Sequence, residues 1–155
     1  MTPAPALRHQ YAVTQLLGRV FNYLNTHRAG VVVGAPADVE FEPSTVVEPD
    51  VLVMPLVLGR PPGSFAAAGR LLLAVEVLSP GTAAWDRGVK RELYQRQGVP
   101  EYWIVDLDAR LIERWRPGDQ RPEIIRDRLE WLPEGAGEAC VLDLPELFAQ
   151  VMGSE

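Results

Sequence analysis

The segment Leu71-Leu72-Leu73-Ala74-Val75-Glu76-Val77-Leu78 constrains this chain more than any other. It is the most apolar stretch of the sequence, with Gly69 upstream and Ser79-Pro80 downstream. A short, continuous apolar run between turn signals reads as a central strand covered on both faces. One residue breaks the run. Glu76 places a carboxylate where any apolar side chain would serve, and burying it unpaired costs on the order of several kcal/mol. The carboxylate is tolerable if it reaches solvent at the strand end, pairs with an arginine, or holds a cation. Glu76 is therefore the first candidate for chemistry.

The pattern around it alternates helix and strand. Val13, Leu16, Leu17, Val20, Phe21 and Leu24 recur at steps of three and four, which predicts an amphipathic helix starting near Pro5 and ending at Ala29-Gly30. His9 and His27 fall near its ends, where a histidine is ordinarily a cap or a surface residue. Residues 31–33, 37–41 and 46–54 predict strands, the last with a break in pairing at Pro49. Residues 55–69, rich in Gly and Pro, read as a loop. A second helix is expected from Thr82 or Asp86 to Gln97, stopped by Gly98 and Pro100. Residues 102–106 and 111–116 predict a hairpin, 123–126 and 129–132 short strands, and 145–151 a closing helix. No internal repeat or linker interrupts this order. The expected fold is one α/β domain over residues 1–155. Its mixed central sheet is flanked by the N-terminal helix and by the helix that follows the Glu76 strand.

At 155 residues, 47% hydrophobic and 23% charged, the chain has material for one sizeable core. Its net charge of -6 offers no global attraction for nucleic acid, so any such affinity must come from a local basic surface or from metal ions. The single cysteine, Cys140, excludes an internal disulfide and a multi-thiolate zinc site, and reads as a small buried hydrophobe in a reducing compartment. Met1 to Ala6 shows no basic-then-apolar leader, and no apolar run approaches the roughly 18 residues of a membrane span. A cytoplasmic location is expected.

Of the 15 basic residues, Lys90 is the one lysine and the rest are arginine. Lysine is a compact point charge with a tunable pKa, whereas arginine is a planar fork that stays protonated. A lysine retained against such a bias is either a chance survivor or a residue that arginine cannot replace. Asp86, Lys90 and Tyr94 are spaced by four and share one helix face. Beside the stripe of Val89 and Leu93, Lys90 can lean towards the Glu76 strand, or remain a solvated partner of Asp86. Arg87 and Arg91 on the same helix are either a phosphate-contacting patch or an ordinary charged face. Asp50, followed by Val51-Leu52-Val53-Met54, is a second acid in apolar surroundings, compatible with a turn or cap as well as with a metal site. Two carboxylates from neighbouring strands suit Mg²⁺, which often takes only one or two from the protein and completes its shell with water and phosphate.

Taken together, these residues match a known pattern. Glu76-Val77-Leu78-Ser79-Pro80, Asp86-Arg87-Gly88, Lys90, Leu93-Tyr94 and Gly98-Val99-Pro100-Glu101-Tyr102-Trp103-Ile104-Val105-Asp106 resemble the Uma-two family of restriction-endonuclease-like proteins. Val46-Val47-Glu48-Pro49-Asp50-Val51 resembles that family's Pro-Asp segment, and the likeness runs from Arg8-His9-Gln10 to Leu144-Pro145-Glu146-Leu147-Phe148. The resemblance implies a PD-(D/E)XK nuclease core. Asp50 and Glu76 would then bind Mg²⁺ (Mn²⁺ can substitute), with the backbone carbonyl of Val77 or Leu78 completing the shell. A lysine would assist the attacking water. The superfamily's usual lysine position, two residues after Glu76, holds Leu78. The resemblance instead points to a lysine on the following helix, Lys90. Asp38 and Tyr94 are expected to support the site, and Arg87 and Arg91 to contact nucleic acid, DNA above RNA.

Two rival readings remain open at this point. One is a catalytically inactive module that keeps the fold for binding, which the acidic charge and displaced lysine favour. The other is a hydrolase of a different phosphate ester, which would use the same metal chemistry. Tyr102, Trp103 and Trp115 lie in strands and are expected in core or dimer packing rather than as base-stacking platforms. The hairpin at residues 111–115 is a candidate edge for a homodimer.

Overall fold

A computed structural model describes residues 7–154. Pro5 as helix start and the expectation for Met1 to Ala6 lie outside the described residues. The first helix, α1 (Leu7–Thr26), buries Ala12, Leu16, Val20 and Leu24, one residue per turn. Phe21, which the periodicity also assigned to the apolar face, is 56% exposed. The strands β1 (Val31–Gly34), β4 (Val51–Met54), β5 (Leu73–Val77), β6 (Glu101–Asp106), β7 (Leu111–Trp115) and β8 (Glu123–Ile125) form a six-stranded sheet in the order β1-β4-β5-β6-β7-β8. Pairing is antiparallel everywhere except between β5 and β6. The sheet is therefore mixed, as expected.

Parallel strands need a crossover. Here it runs through α3 (Ala83–Trp85), a π-helical turn (Asp86–Lys90) and α4 (Arg91–Arg96), and ends at Gly98, whose φ of 72° favours glycine. The expected second helix is thus present, with a widened turn at its middle. Strand alternation divides the core in two. Val51, Val53, Leu73, Val75, Val77, Trp103 and Val105 face α1 and the closing helix α5 (Leu144–Met152). Leu52, Ala74, Tyr102, Ile104 and Trp115 face the other way, against Tyr94 of α4. Glu76 shares the parity of Ala74, so it points to the α4 side.

Three local expectations are corrected. Residues 46–54 form two strands, β3 (Thr45–Val47) and β4, because Pro49 interrupts the ladder; β3 pairs with β2 (Val39–Glu42) in a separate small sheet. The loop after β4 contains a short helix, α2 (Phe65–Ala68), started by Ser64, whose hydroxyl accepts from Ala67 N at 3.1 Å. Residues 111–115 are not an edge. β7 is buried along its length between β6 and β8, so it cannot serve as the dimer edge suggested by sequence. The hairpin of β9 (Arg128–Trp131) and β10 (Cys140–Asp143) joins α5 over the α1 face. Cys140 is buried, and desolvation raises its thiol to about 11. No helix among the described residues is long and apolar enough to cross a membrane.

Candidate active site

The site begins where a ladder stops. The register that sets Val51 opposite Val75 would next set Pro49 opposite Val77. Proline has no N–H to give, so the pairing ends there and leaves both backbone groups of Val77 on that side without a strand partner. The Asp50 carboxylate replaces one missing bond, accepting from Val77 N at 2.7 Å. The Val77 carbonyl is met by His9 of α1, whose Nε2 lies 3.0 Å away. The same nitrogen is 3.4 Å from Asp50 Oδ2. Asp50, the Val77 carbonyl and His9 therefore converge on one point at the end of β5.

Glu76 lies beside them, 3% exposed. Its Oε2 accepts from Lys90 Nζ at 2.9 Å and from the Tyr94 hydroxyl at 3.3 Å. The π-helical turn presents Asp86 to the same ammonium, 3.3 Å from Nζ, and Thr82 Oγ1 holds the other Asp86 oxygen at 3.1 Å. Widened turns of this kind recur at functional sites, because the extra residue re-aims the side chains around it. The structure brings together Asp50, Glu76, Lys90, Tyr94 and the Val77 carbonyl from the residues expected by sequence. It adds His9 and the buried Asp86.

Charge in this cluster is unbalanced. Asp50, Glu76 and Asp86 share one ammonium and one imidazole. Desolvation pushes Glu76 up to about 7; Lys90 opposes the shift, and the nearby Asp50 charge adds to it. Desolvation likewise raises Asp86 against the pull of Lys90. Burial depresses the Lys90 ammonium, but Glu76 and Asp86 outweigh this and its pKa is raised. The Asp50 hydrogen bond raises His9, against desolvation. Burial among these acids also raises the Tyr94 hydroxyl, which stays a hydrogen-bond donor.

A divalent cation fits this donor set. Among the described residues, Asp50 Oδ1 and Glu76 Oε1 make no hydrogen bond, and the Val77 carbonyl belongs to the residue that follows Glu76 and whose N–H Asp50 holds. Among the described residues, no group of three or more acidic, histidine or cysteine side chains is placed to hold a metal ion, so the donors here are two carboxylates and one backbone carbonyl. Such an open, oxygen-rich arrangement suits Mg²⁺ or Mn²⁺, which leave positions for water and phosphate.

Other expected residues fall elsewhere. Asp38 is exposed just before β2, with its carboxyl against Glu48, and makes no hydrogen bond to the cluster. Arg87 pairs with Glu113, Nε to Oε2 at 2.8 Å, and with Asp106 at 3.3 Å. Arg91 bonds Gln95 at 2.8 Å and lies 4.7 Å over the Trp115 ring. Tyr102, Trp103 and Trp115 are core residues.

His9 is the member of this cluster that sequence reasoning passed over. The signal was there: positions 9, 12, 16, 20 and 24 continue one stripe, so the ring belongs to the core-facing side of α1.

A family model described as "Putative restriction endonuclease", Uma2, matches residues 1–147. Among solved structures, the chain is similar to a crystal structure of a "putative nuclease belonging to DUF820" from Anabaena variabilis. The TM-score is 0.76 at 18% identity, over 97% of this chain and 85% of that one. None of the curated proteins searched matches.

Proposed function

Because the chain belongs to the Uma2 family of restriction-endonuclease-like proteins, we propose that it is a metal-dependent nuclease that hydrolyses phosphodiester bonds, in DNA above other substrates. The observation that carries the reading is the buried Glu76–Lys90 pair, 2.9 Å apart, beside Asp50 and the Val77 carbonyl. Asp50, Glu76 and the Val77 carbonyl would hold Mg²⁺ or Mn²⁺, with His9 at their shoulder. A cation there would offset phosphate charge and lower the pKa of a nearby water.

The protein's own groups divide the remaining work. Lys90 keeps its proton, since Glu76 and Asp86 favour the ammonium, and so acts as a donor. It orients the attacking water and stabilises negative charge that builds on the phosphoryl oxygens. Glu76, ionised once a cation is held, would stay a ligand, and the proton of the attacking water would leave to solvent as the new P–O bond forms and the bond to the leaving oxygen breaks. Tyr94 and Lys90 fix the Glu76 carboxylate, and Asp86 fixes Lys90. Arg87 and Arg91, tied to acidic and aromatic neighbours, shape the helix face from which phosphate would be approached.

The test is cleavage of supercoiled plasmid and of single-stranded DNA with Mg²⁺ or Mn²⁺, using wild type beside Glu76→Gln and Lys90→Ala. Metal-dependent cleavage lost in both variants is expected. A folded wild type that cuts nothing would overturn the reading in favour of a binding module. Cleavage equal in all three proteins would mean that the activity resides elsewhere.

A further inference from the structure

A cleft of about 490 Å³ opens directly beside the site. His9 is common to both, so one wall of the cleft is the imidazole that touches Asp50 and the Val77 carbonyl. The other walls are mainly apolar: Leu78 and Pro80 just after β5, Leu107 after β6, and Met152 at the end of α5. Arg8 and Asp108, both exposed, stand on its rim, and among the described residues Arg8 has no ion-pair partner. This volume lies within the roughly 300–1,000 Å³ of small-ligand pockets, room for one flat ring system and its sugar but not for a double helix.

We propose that this cleft binds an unpaired nucleobase of the strand being cut, which makes a single strand or a frayed end the substrate class. The identity of the ligand rests on the nuclease reading. A duplex offers a protein its phosphates and groove edges, while the faces of its bases are stacked away. An apolar slot one imidazole away from a phosphate-cleaving centre would gain nothing from a duplex. An unstacked base fills it with apolar faces and leaves its edge to the rim, where the Asp108 carboxylate can accept from an exocyclic amine. Arg8 is then placed for the phosphate of the adjoining nucleotide.

Binding can be read without catalysis, in EDTA at low salt. The probe is a dye-labelled DNA strand of about ten nucleotides, compared with the same strand annealed to its complement and with a base-free sugar-phosphate backbone of equal length. Wild type is expected to bind the strand about tenfold more tightly than either competitor, the gain typical of seating one base. Ala83→Phe, which fills the cleft from α3, and Leu107→Asn, which makes its wall polar without adding charge, should each erase that margin while leaving affinity for the base-free backbone unchanged. Equal binding of all three probes, or a margin that survives in both variants, would overturn the proposal. Cleavage assays separate it from the nuclease reading. A protein that keeps the margin yet cuts nothing with Mg²⁺ or Mn²⁺ retains the base site and loses the nuclease. A protein that cuts strand and duplex alike, with no margin, retains the nuclease and loses the base site.

Discussion

Asp50 does for Val77 what a neighbouring strand would have done: its Oδ2 accepts the Val77 N–H at 2.7 Å where the β4–β5 ladder has ended. One carboxylate oxygen is thereby structural, and the other is left for the site. Asp50→Asn keeps an acceptor for Val77 and should melt within a few degrees of wild type, yet lose Mn²⁺ binding and cleavage. Asp50→Ala removes both, orphans a backbone donor, and should cost a further ~1–3 kcal/mol. Thermal melts beside calorimetric Mn²⁺ titration check the split. An Asp50→Asn protein that binds Mn²⁺ like wild type would remove Asp50 from the metal site.

Glu76 makes stability depend on pH in an unusual direction. Its folded-state pKa lies above its ordinary value, at about 7. Between about 4.5 and 7 the folded state therefore holds more proton than the unfolded one, and stability falls as pH rises through this window. Asp86 and His9, both raised, act in the same sense. Glu76→Gln should flatten the slope and be more stable than metal-free wild type at pH 8, by up to about 3 kcal/mol. Urea denaturation at pH 5 and pH 8 measures it. Mg²⁺ should narrow the difference, because it favours the ionised carboxylate.

Lys90 is the counter-charge for two buried acids, so its removal is felt at two levels. Lys90→Met should lower the cleavage rate by about a hundred- to a thousandfold. It should also destabilise the fold at pH 8 by ~3 kcal/mol, with partial recovery at pH 5, where Glu76 takes up a proton. Full stability at pH 8 would show that the pair is not needed to offset the buried charge.

His9 offers the sharpest test of the metal site. His9→Ala should weaken Mn²⁺ binding by about ten- to a hundredfold, whether the ring ligates or only orients Asp50 and the Val77 carbonyl. Nitrogen coupling in the Mn²⁺ spin-echo spectrum, present in wild type and absent in the variant, would identify direct ligation.

Arg87 separates a phosphate contact from a scaffold role. Its guanidinium holds Glu113, itself 7% exposed. Arg87→Ala should therefore lower stability by ~1–3 kcal/mol and leave the salt dependence of DNA binding unchanged. A reduced salt slope would make Arg87 a phosphate contact.

The legible part of this protein was the part encoded by local contrast. Glu76 stood out because seven apolar neighbours surround it in a strand that the structure buries completely. Lys90 stood out against the arginines, and its reach to Glu76 followed from helix spacing. Asp50 was visible with its proline, and the ladder explains why the two belong together. His9 was not visible as chemistry, because its partners are 41 and 68 positions away and no local pattern reports on them. Asp86 looked like a surface partner of Lys90, since burial of a helix face depends on what the sheet places opposite it. The interior position of β7 was hidden for the same reason: nothing in residues 111–115 announces that β8 returns to cover their outer edge.

The parallel pairing of β5 with β6 has one more consequence. Glu76 and Lys90 are fourteen positions apart, on a strand and the crossover that follows it. They form a short-range unit, closed within that strand and crossover. His9 and Asp50 must be delivered by segments that precede this unit. The charge pair is thus a property of one β-α-β module, whereas the proposed cation position would exist only once α1 and β4 have docked. On the proposed reading, metal binding would report that the two N-terminal segments have docked onto this module.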